Sequence, residues 1–332
     1  MDLDAPPAPR DADAPFSPRS NEQNPPDLIL QTSDNVRFYV HWAILRFASP
    51  FFNDLSSLPS PTGPDANPTH QGKPVVSIPE SSIVTEKLLR LCYPRLADAF
   101  KIVDLEGVDG AYGAARKYMV TGGTAQLESF LVEPEILKQH ARRVYAIACH
   151  YGLEDIAKTA AIASLPEPVL HEEEETPPPE YSSISAVHLW RLQTFQRRCA
   201  RTLESALDKH RSLVLVEIVE NSPLVQYNRV WWASGGHSDS CGPEILSTYI
   251  EPVSWFRQHL KALSEQAGTH PDVEGVLDRL HQLPGPIMRH VARCRLCSEF
   301  AAKHLHLDSF FLRVQLKEAL VTIAAETQFT GA

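Results

Sequence analysis

Proline is distributed very unevenly along the chain. Seven of the 27 prolines lie in residues 1–26, five in 59–74 and five in 166–180. Proline has no amide donor and blocks helices, and these stretches also lack the apolar residues needed to offset the entropy of ordering. We therefore predict a disordered tail over 1–26 and a disordered insert over 59–74. Residues 166–181 are predicted to be an acidic, extended linker, because their glutamates repel one another.

Two blocks between these stretches are long enough to fold. The chain has 332 residues, of which 43% are apolar, and this length predicts two domains. Residues 27–165 begin with an alternating apolar pattern that indicates a β-hairpin and continue mainly with helical spacing. Residues 182–330 show mostly helical spacing, with a last helix predicted from about Ser309. The fold class predicted is α+β: a small mixed sheet with helices, followed by a mostly α-helical C-terminal domain.

Composition and charge exclude several classes of protein. No apolar run approaches the ~18 residues that a membrane span needs, and the acidic N-terminus resembles no secretory signal. The net charge of −10 disfavours a nucleic-acid surface, which usually has a basic patch. The six cysteines are scattered and no N-x-S/T sequon occurs, which favours reduced thiols or one metal site over disulfides. We expect an intracellular protein of the cytoplasm or nucleus.

The first block resembles a BTB/POZ domain in the order and spacing of its short motifs. Asp27 with the apolar residues that follow it, then Phe38-x-x-His41 and Ser49-Pro50-Phe51-Phe52, resemble the opening of that domain. Its later parts are matched by Val76-Ser77-Ile78-Pro79, Leu88 to Pro94, Ala114 to Met119 and, as a helical extension, Arg143 to Leu153. The chain is similar above all to a fungal type with a long proline-rich insert and a helical C-terminal region.

This resemblance implies scaffolding rather than chemistry. BTB/POZ domains are protein-interaction modules, so the implied function is a non-enzymatic adaptor or scaffold with protein partners. An alternative that the resemblance also implies is a substrate adaptor of a cullin-RING ubiquitin ligase, with 135–165 as the assisting helical extension. Some family members form a homodimer by exchanging an N-terminal strand beside an extra first helix. Residues 1–26 cannot supply such a helix, and we expect no strand-exchanged homodimer.

We predict no catalytic residue. His41 lies between a strand and an apolar helix with no nucleophile near it in sequence, which favours a buried, hydrogen-bonded structural role. Asp27 is expected to bind backbone amides at the start of a strand. The chain contains no G-x-S-x-G, no G-x-x-x-x-G-K-[ST] and no G-x-G-x-x-G motif.

One group of residues in the second block has the composition of a zinc site. Cys294 and Cys297 form a C-x-x-C pair, and a glycine-flanked loop contains His237 and Cys241. Together they would supply the four tetrahedral nitrogen and sulfur ligands of structural zinc. Alternative histidines are His290, His304 and His306. Ordinary buried thiols remain an alternative, as does a redox pair, although the βαβ context of redox pairs is missing. A metal-dependent enzyme in the C-terminal domain is the remaining functional alternative.

Overall fold

The chain folds into two compact units. The computed structural model describes residues 8–19, 24–58, 68–93, 102–167, 176–211, 214–215, 237–238, 241, 245–246, 249–250, 253–269 and 271–331. The units are Met1–Gln139 and His140–Ala332. The division falls inside the helix Pro134–Tyr151, at a non-helical backbone position at His140 (φ −138°, ψ 28°). The structure thus differs from the domain boundary predicted at 166–181, because the helices after His140 pack within the second unit.

A mixed five-stranded sheet forms the base of the first unit. Its strands are β1 (Arg10–Asp11), β2 (Leu28–Gln31), β3 (Val36–Val40), β4 (Thr69–His70) and β5 (Lys73–Ser77). Their order across the sheet is β1-β3-β2-β5-β4. The β2–β3 and β4–β5 pairs are antiparallel, and the β1–β3 and β2–β5 pairs are parallel. Leu28, Ile29 and Leu30 in the central strand are fully buried, as expected for a strand covered on both faces.

The segment before the sheet is folded, contrary to the predicted tail. β1 lies beside β3, and Phe16 is 1% exposed. The Phe16 ring lies 6.0 Å from that of Phe38 and 5.3 Å from that of Tyr93. One large apolar side chain therefore anchors a stretch whose average composition predicted disorder. Composition failed here because it averages over many residues and does not detect the packing of a single one. Residues 1–7 and 20–23 of the predicted tail lie outside the described residues.

The end of the predicted insert forms a β-hairpin. Residues 59–67 lie outside the described residues, but β4 and β5 pair at His70↔Lys73. The two residues between these strands, Gln71 and Gly72, have positive φ angles of 53° and 75°. Two positive φ values are typical of the tight turns whose twist matches that of paired strands. The structure thus differs from the prediction of disorder at residues 69–74.

Helices pack behind this sheet where the apolar spacing predicts them. They are α1 (Trp42–Ala48), α2 (Pro50–Ser57), α3 (Ser82–Cys92), α4 (Val108–Lys117) and α5 (Gly123–Leu131). Pro50 occupies the first turn of α2, and the buried Ser49 hydroxyl accepts the Phe52 amide at 3.2 Å. Proline fits a first turn because no helical hydrogen bond is lost there. The prediction that Pro50 separates two short helices is confirmed.

The second unit is largely helical. Its helices are α6 (Pro134–Tyr151, shared with the first unit), α7 (Glu154–Ala163), α8 (Ala186–Arg211), α9 (Ser254–Thr269), α10 (Val273–His281), α11 (Gly285–Val291) and α12 (Arg295–Glu326). A small antiparallel sheet has the order β6 (Val214–Leu215), β8 (Tyr249–Ile250), β7 (Ile245–Leu246). The prediction that the last helix begins near Ser309 is wrong, because α12 begins 14 residues earlier at Arg295. The α+β class with a mostly helical second part is confirmed.

Both ends of the predicted linker are fastened within the second unit. Residues 168–175 lie outside the described residues. Glu167 Oε2 lies 2.6 Å from Nε of Arg142. Arg143 binds both carboxylate oxygens of Glu180 at 2.6–3.0 Å, and the Glu180 side chain is 7% exposed. These glutamates are therefore ion-paired rather than part of a purely solvated run.

Candidate metal centre

Two of the predicted ligands lie at the start of α12. Cys294 immediately precedes the helix and has an extended backbone (φ −110°, ψ 123°), and Cys297 lies in its first turn. The Cys294 amide donates to the carbonyl of Val291 at 3.2 Å, and its carbonyl accepts the Ser298 amide at 2.9 Å. Residues three apart in a helical turn face the same side. The C-x-x-C spacing therefore brings both sulfur atoms together.

The other two predicted ligands lie in a turn that is fastened to α9. The Cys241 amide donates to the carbonyl of Ser238 at 2.8 Å, and the Cys241 carbonyl accepts the amide of Ser254, the first residue of α9, at 2.9 Å. The Ser238 hydroxyl lies 3.4 Å from the Cys241 sulfur. His237 directly precedes this turn. Local backbone hydrogen bonds thus hold Cys241 against the end of another helix.

The four donor atoms have the separations of a tetrahedral zinc site. They all lie within 4.8 Å of one another. Sγ of Cys241 is 3.7 Å from Sγ of Cys297, and Nδ1 of His237 is 3.4 Å from the sulfur atoms of Cys294 and Cys297. Zinc–sulfur bonds of about 2.3 Å and zinc–nitrogen bonds of about 2.0 Å give tetrahedral edges of about 3.8 Å and about 3.5 Å. The measured edges agree with these values, so the cluster is compatible with one zinc ion.

Burial and hydrogen bonds together set the pKa values of the three thiols in the absence of a metal. None of them is more than 2% exposed. Burial raises the pKa of Cys241 and of Cys297. Burial acts in the same direction on Cys294, but backbone hydrogen bonds from Cys297 and Ser238 outweigh it and lower the Cys294 pKa to about 6. A divalent cation would offset two of the three negative charges of the thiolates, the form in which cysteine binds metals.

The donor set fits a structural metal better than a catalytic one. Catalytic zinc has three protein ligands and keeps a fourth position for water or substrate. A histidine and three cysteines would occupy all four tetrahedral positions here. An ion bound in this way would join the His237–Cys241 turn to the start of α12 and would leave no position for a reacting molecule.

The contribution of Trp255 was not predicted from the sequence. Its indole Nε1 donates to the sulfur of Cys297 at 3.3 Å, and the residue is 3% exposed. Hydrogen bonds to ligand atoms orient them and tune a metal site. The spacing of Trp255 in α9 indicates only a core position, and no sequence signal relates it to Cys297, 42 residues later.

The remaining residues singled out from the sequence have structural roles. Asp27 accepts the Trp42 amide at 2.7 Å, in keeping with the predicted binding of backbone amides. His41 is half-buried, with Nδ1 2.9 Å from the hydroxyl of Tyr93 and Nε2 2.8 Å from the carbonyl of Asn24. A carbonyl can only accept, so Nε2 carries a proton and donates it. Both ring nitrogens are therefore engaged.

Three other predictions concern the alternative histidine ligands, the state of the cysteines and the absence of a membrane span. The cluster contains His237, whereas the alternative His290 is not part of it among the described residues. All six cysteines are free and buried, as expected for reduced thiols. No helix in the described part of the chain combines the length and apolar character needed to cross a bilayer.

Comparison with known protein families identifies the first unit. Residues 17–135 match the family model of the BTB/POZ domain. The first unit contains a BTB/POZ domain. No curated protein matches the chain. The BTB domain is a protein-interaction module, so the resemblance inferred from the sequence motifs is confirmed at the level of the domain.

The BTB match ends before the residues of the candidate metal centre. It ends at residue 135, close to the end of the first compact unit at Gln139. The cysteine and histidine cluster lies in the other unit. The BTB domain and the candidate metal centre are therefore separate features of the chain.

Proposed function

We propose that the protein is a non-enzymatic adaptor. The BTB domain binds one protein partner, and the helical second unit serves as a recognition part for another. The observation that carries this proposal is the BTB domain joined to a second compact unit that the family match does not cover. Two compact units on one chain provide two surfaces with which a protein can bring two partners together.

The geometry of the titratable groups supports a non-enzymatic function. The imidazole of His41 is engaged at both nitrogens by Tyr93 and Asn24, so it would have to break a hydrogen bond to act as a base. The four donors of the metal cluster would saturate a tetrahedral ion. The likeness to the fungal type with a long insert remains a prediction from the sequence.

The adaptor role is tested by partner capture with surface variants of the full chain. Phe47 in α1 is 92% exposed and Val103 is 73% exposed, both in the first unit. We expect Phe47→Ser to lose a partner that wild type and the matched Val103→Ser variant retain, because an exposed aromatic side chain is a typical contact residue. Identical partners for all three proteins would contradict a contact through α1. A cullin scaffold among the proteins lost from Phe47→Ser would favour the ubiquitin-ligase alternative.

We further propose that His237, Cys241, Cys294 and Cys297 bind one structural zinc ion. The tetrahedral separations and the burial of the three sulfur atoms support this cofactor. The ion would hold His237 and Cys241 to the start of α12. A metal staple of this kind contributes directly to folding stability.

Metal analysis of the purified full-length protein tests the zinc site. We expect about one zinc per chain in wild type, and much less in Cys294→Ser and in His237→Ala, because each variant lacks one of four ligands. Cys199 in α8 is buried outside the cluster, and Cys199→Ser is the matched control that should retain the ion. X-ray absorption should show three sulfur and one nitrogen neighbours. Equal zinc in Cys294→Ser and Cys199→Ser would refute the assignment.

Two further expectations concern compartment and assembly. Six free cysteines support a reducing compartment, the cytoplasm or nucleus. The absence of a strand-exchanged homodimer remains a prediction from the sequence of residues 1–26. Light scattering of the purified protein tests this, because a strand-exchanged homodimer would have twice the mass of one chain.

A further inference from the structure

The segment after α12 is bound by the second unit in the manner of a peptide ligand. Residue Thr327 leaves the helix with an extended backbone (φ −94°, ψ 124°), and Gln328 is exposed. The next residue, Phe329, is fully buried. Residues 329–331, called the 329–331 segment below, therefore leave the helix and enter a cleft between α6, α7 and α8.

The cleft holds the phenyl ring of Phe329 as an anchor. The ring of Tyr145 in α6 lies 5.8 Å from it and the ring of Phe195 in α8 lies 5.3 Å from it, both edge to face. Tyr145 and Phe195 are themselves fully buried. An aromatic residue in a fully desolvated pocket is the typical energetic centre of a binding interface.

The main chain of the segment is bound by one carboxylate and one guanidinium. The amides of Phe329 and Thr330 donate to the two oxygens of Glu154 in α7 at 3.1 and 2.8 Å, and the Thr330 hydroxyl donates to the same carboxylate at 2.7 Å. Arg191 in α8 donates to the carbonyls of Phe329, at 3.2 Å, and of Gly331. Donors and acceptors of three successive residues are thus bound by side chains, as in peptide-recognition clefts.

These hydrogen bonds lower the pKa of the Glu154 carboxyl group that accepts them. Burial alone would raise the pKa of Glu154, but the hydrogen bonds from Thr330 and Phe329 outweigh it, and the pKa lies below its ordinary value. The carboxylate is therefore ionised at neutral pH and accepts three charge-assisted hydrogen bonds, which are stronger than neutral ones.

We propose that this cleft is a peptide-recognition site that the 329–331 segment occupies in cis. In trans it binds an extended partner segment in which phenylalanine is followed by a hydroxyl-bearing residue. The ring fills the pocket between Tyr145 and Phe195, and Glu154 selects the hydroxyl at the next position. The inference rests on the proposed role of the second unit as a recognition part, and it names the chemistry of its partner.

A short connection makes the 329–331 segment a strong competitor for the cleft. Only Thr327 and Gln328 separate the segment from α12, so the segment competes in cis at an effective concentration in the millimolar range. A partner segment must therefore bind more tightly or be present at high local concentration. Its binding would release the 329–331 segment without breaking the hydrogen bonds of α12.

Fluorescence polarisation tests the site in the full-length protein. The probe is a labelled, acetylated and amidated peptide of sequence Glu-Thr-Gln-Phe-Thr-Gly. We expect the Phe329→Ala protein to bind it at least tenfold more tightly than wild type does, because the variant removes the anchor of the competing segment. A peptide with alanine in place of phenylalanine should not bind. Equal affinity of both proteins, or of both peptides, would overturn the proposal.

The role of the carboxylate has a matched control on the same helix. In the Phe329→Ala background, Glu154→Gln should weaken peptide binding at least tenfold. Asp155→Asn changes the exposed neighbouring carboxylate and should leave the affinity unchanged. Equal effects of the two substitutions would show that Glu154 does not recognise the peptide.

Hydrogen exchange of the wild-type protein covers the case in which Phe329→Ala does not fold. Excess unlabelled peptide should accelerate exchange of the Phe329 and Thr330 amides at least fivefold, whereas the alanine peptide should not. Unchanged protection of these amides would overturn the proposal. So would a wild-type dimer that Phe329→Ala converts to monomer, because the cleft would then be occupied by the segment of a second copy of the chain. No BTB partner is present in these assays, so their failure is distinguishable from failure of partner capture by the first unit.

Discussion

Zinc binding to the cluster is expected to release about two protons per chain at pH 7.5. Burial raises the pKa of Cys241 and Cys297, so both are protonated before the metal binds. The Cys294 pKa of about 6 makes that residue a thiolate already. Two ionised sulfur atoms 3.7 Å apart, as in Cys241 and Cys297, would repel by about 4–5 kcal/mol at an effective dielectric constant of about 20. The metal-free cluster therefore keeps those two protons until a cation arrives.

Isothermal titration of the metal-free protein with zinc measures this number. The titration is repeated at pH 7.5 in buffers with different enthalpies of ionisation, and the slope of the binding enthalpy against buffer enthalpy gives the protons released. At pH 5.5, below the Cys294 pKa of about 6, the number should be higher than at pH 7.5. Cys199→Ser should reproduce the wild-type values, because Cys199 lies outside the cluster.

Three outcomes would refute this reasoning in different ways. Release of no proton at pH 7.5 would show that Cys241 and Cys297 are not ligands. Release of three at that pH would show that Cys294 is protonated, against the hydrogen bonds at the start of α12. Full-affinity binding by Cys294→Ser would show that the ion is held elsewhere.

The remaining predictions concern stability, and each is checked by chemical or thermal unfolding of purified variants. Ser49→Ala should lower the free energy of unfolding of the first unit by about 2–3 kcal/mol. The substitution removes the cap of α2, and the buried carbonyl of Tyr118 loses the Ser49 hydroxyl donor 2.5 Å away. An unchanged free energy of unfolding would refute the role of this cap. Arg143→Met should cost about 3–5 kcal/mol by leaving Glu180 buried and unpaired, and Arg143→Met with Glu180→Met should recover most of this. Burial lowers the pKa of His259 below 6.5, so the unfolded chain binds more protons and this contribution to stability is lost as the pH falls below about 6.5; His259→Gln should have a smaller pH dependence between pH 7.5 and 5 than wild type.

Local patterns predicted the elements of the fold well where one pattern was sufficient. The alternation at Val36, Phe38 and Val40 predicted β3, and Pro50 predicted the division between α1 and α2. Prediction from composition was less successful, because disorder was expected at Phe16, a residue that the structure buries. Amino-acid composition averaged over a window cannot detect that one side chain packs against residues elsewhere in the chain.

The candidate metal site shows the same division between local and distant information. The C-x-x-C spacing of Cys294 and Cys297 identifies one half of the site, because two cysteines at this spacing are a common half of a zinc site. His237 and Cys241 were predicted only by residue type. No local pattern indicates that the chain returns to the same point after the 52 residues between Cys241 and Cys294. The hydrogen bond of Trp255 could not be predicted for the same reason.

Sequence patterns were sufficient to predict the α+β class, the helices with a clear apolar stripe, the BTB domain and the chemical type of the metal donors. Each of these depends on periodicity or on residue identity within a short window. Three features became visible only once the chain was folded: the four donors meet at tetrahedral distances, Arg143 neutralises Glu180, and Phe329 enters a cleft between α6, α7 and α8. The physical reason is that these contacts join segments far apart in sequence, and their geometry follows from how helices pack rather than from any local preference.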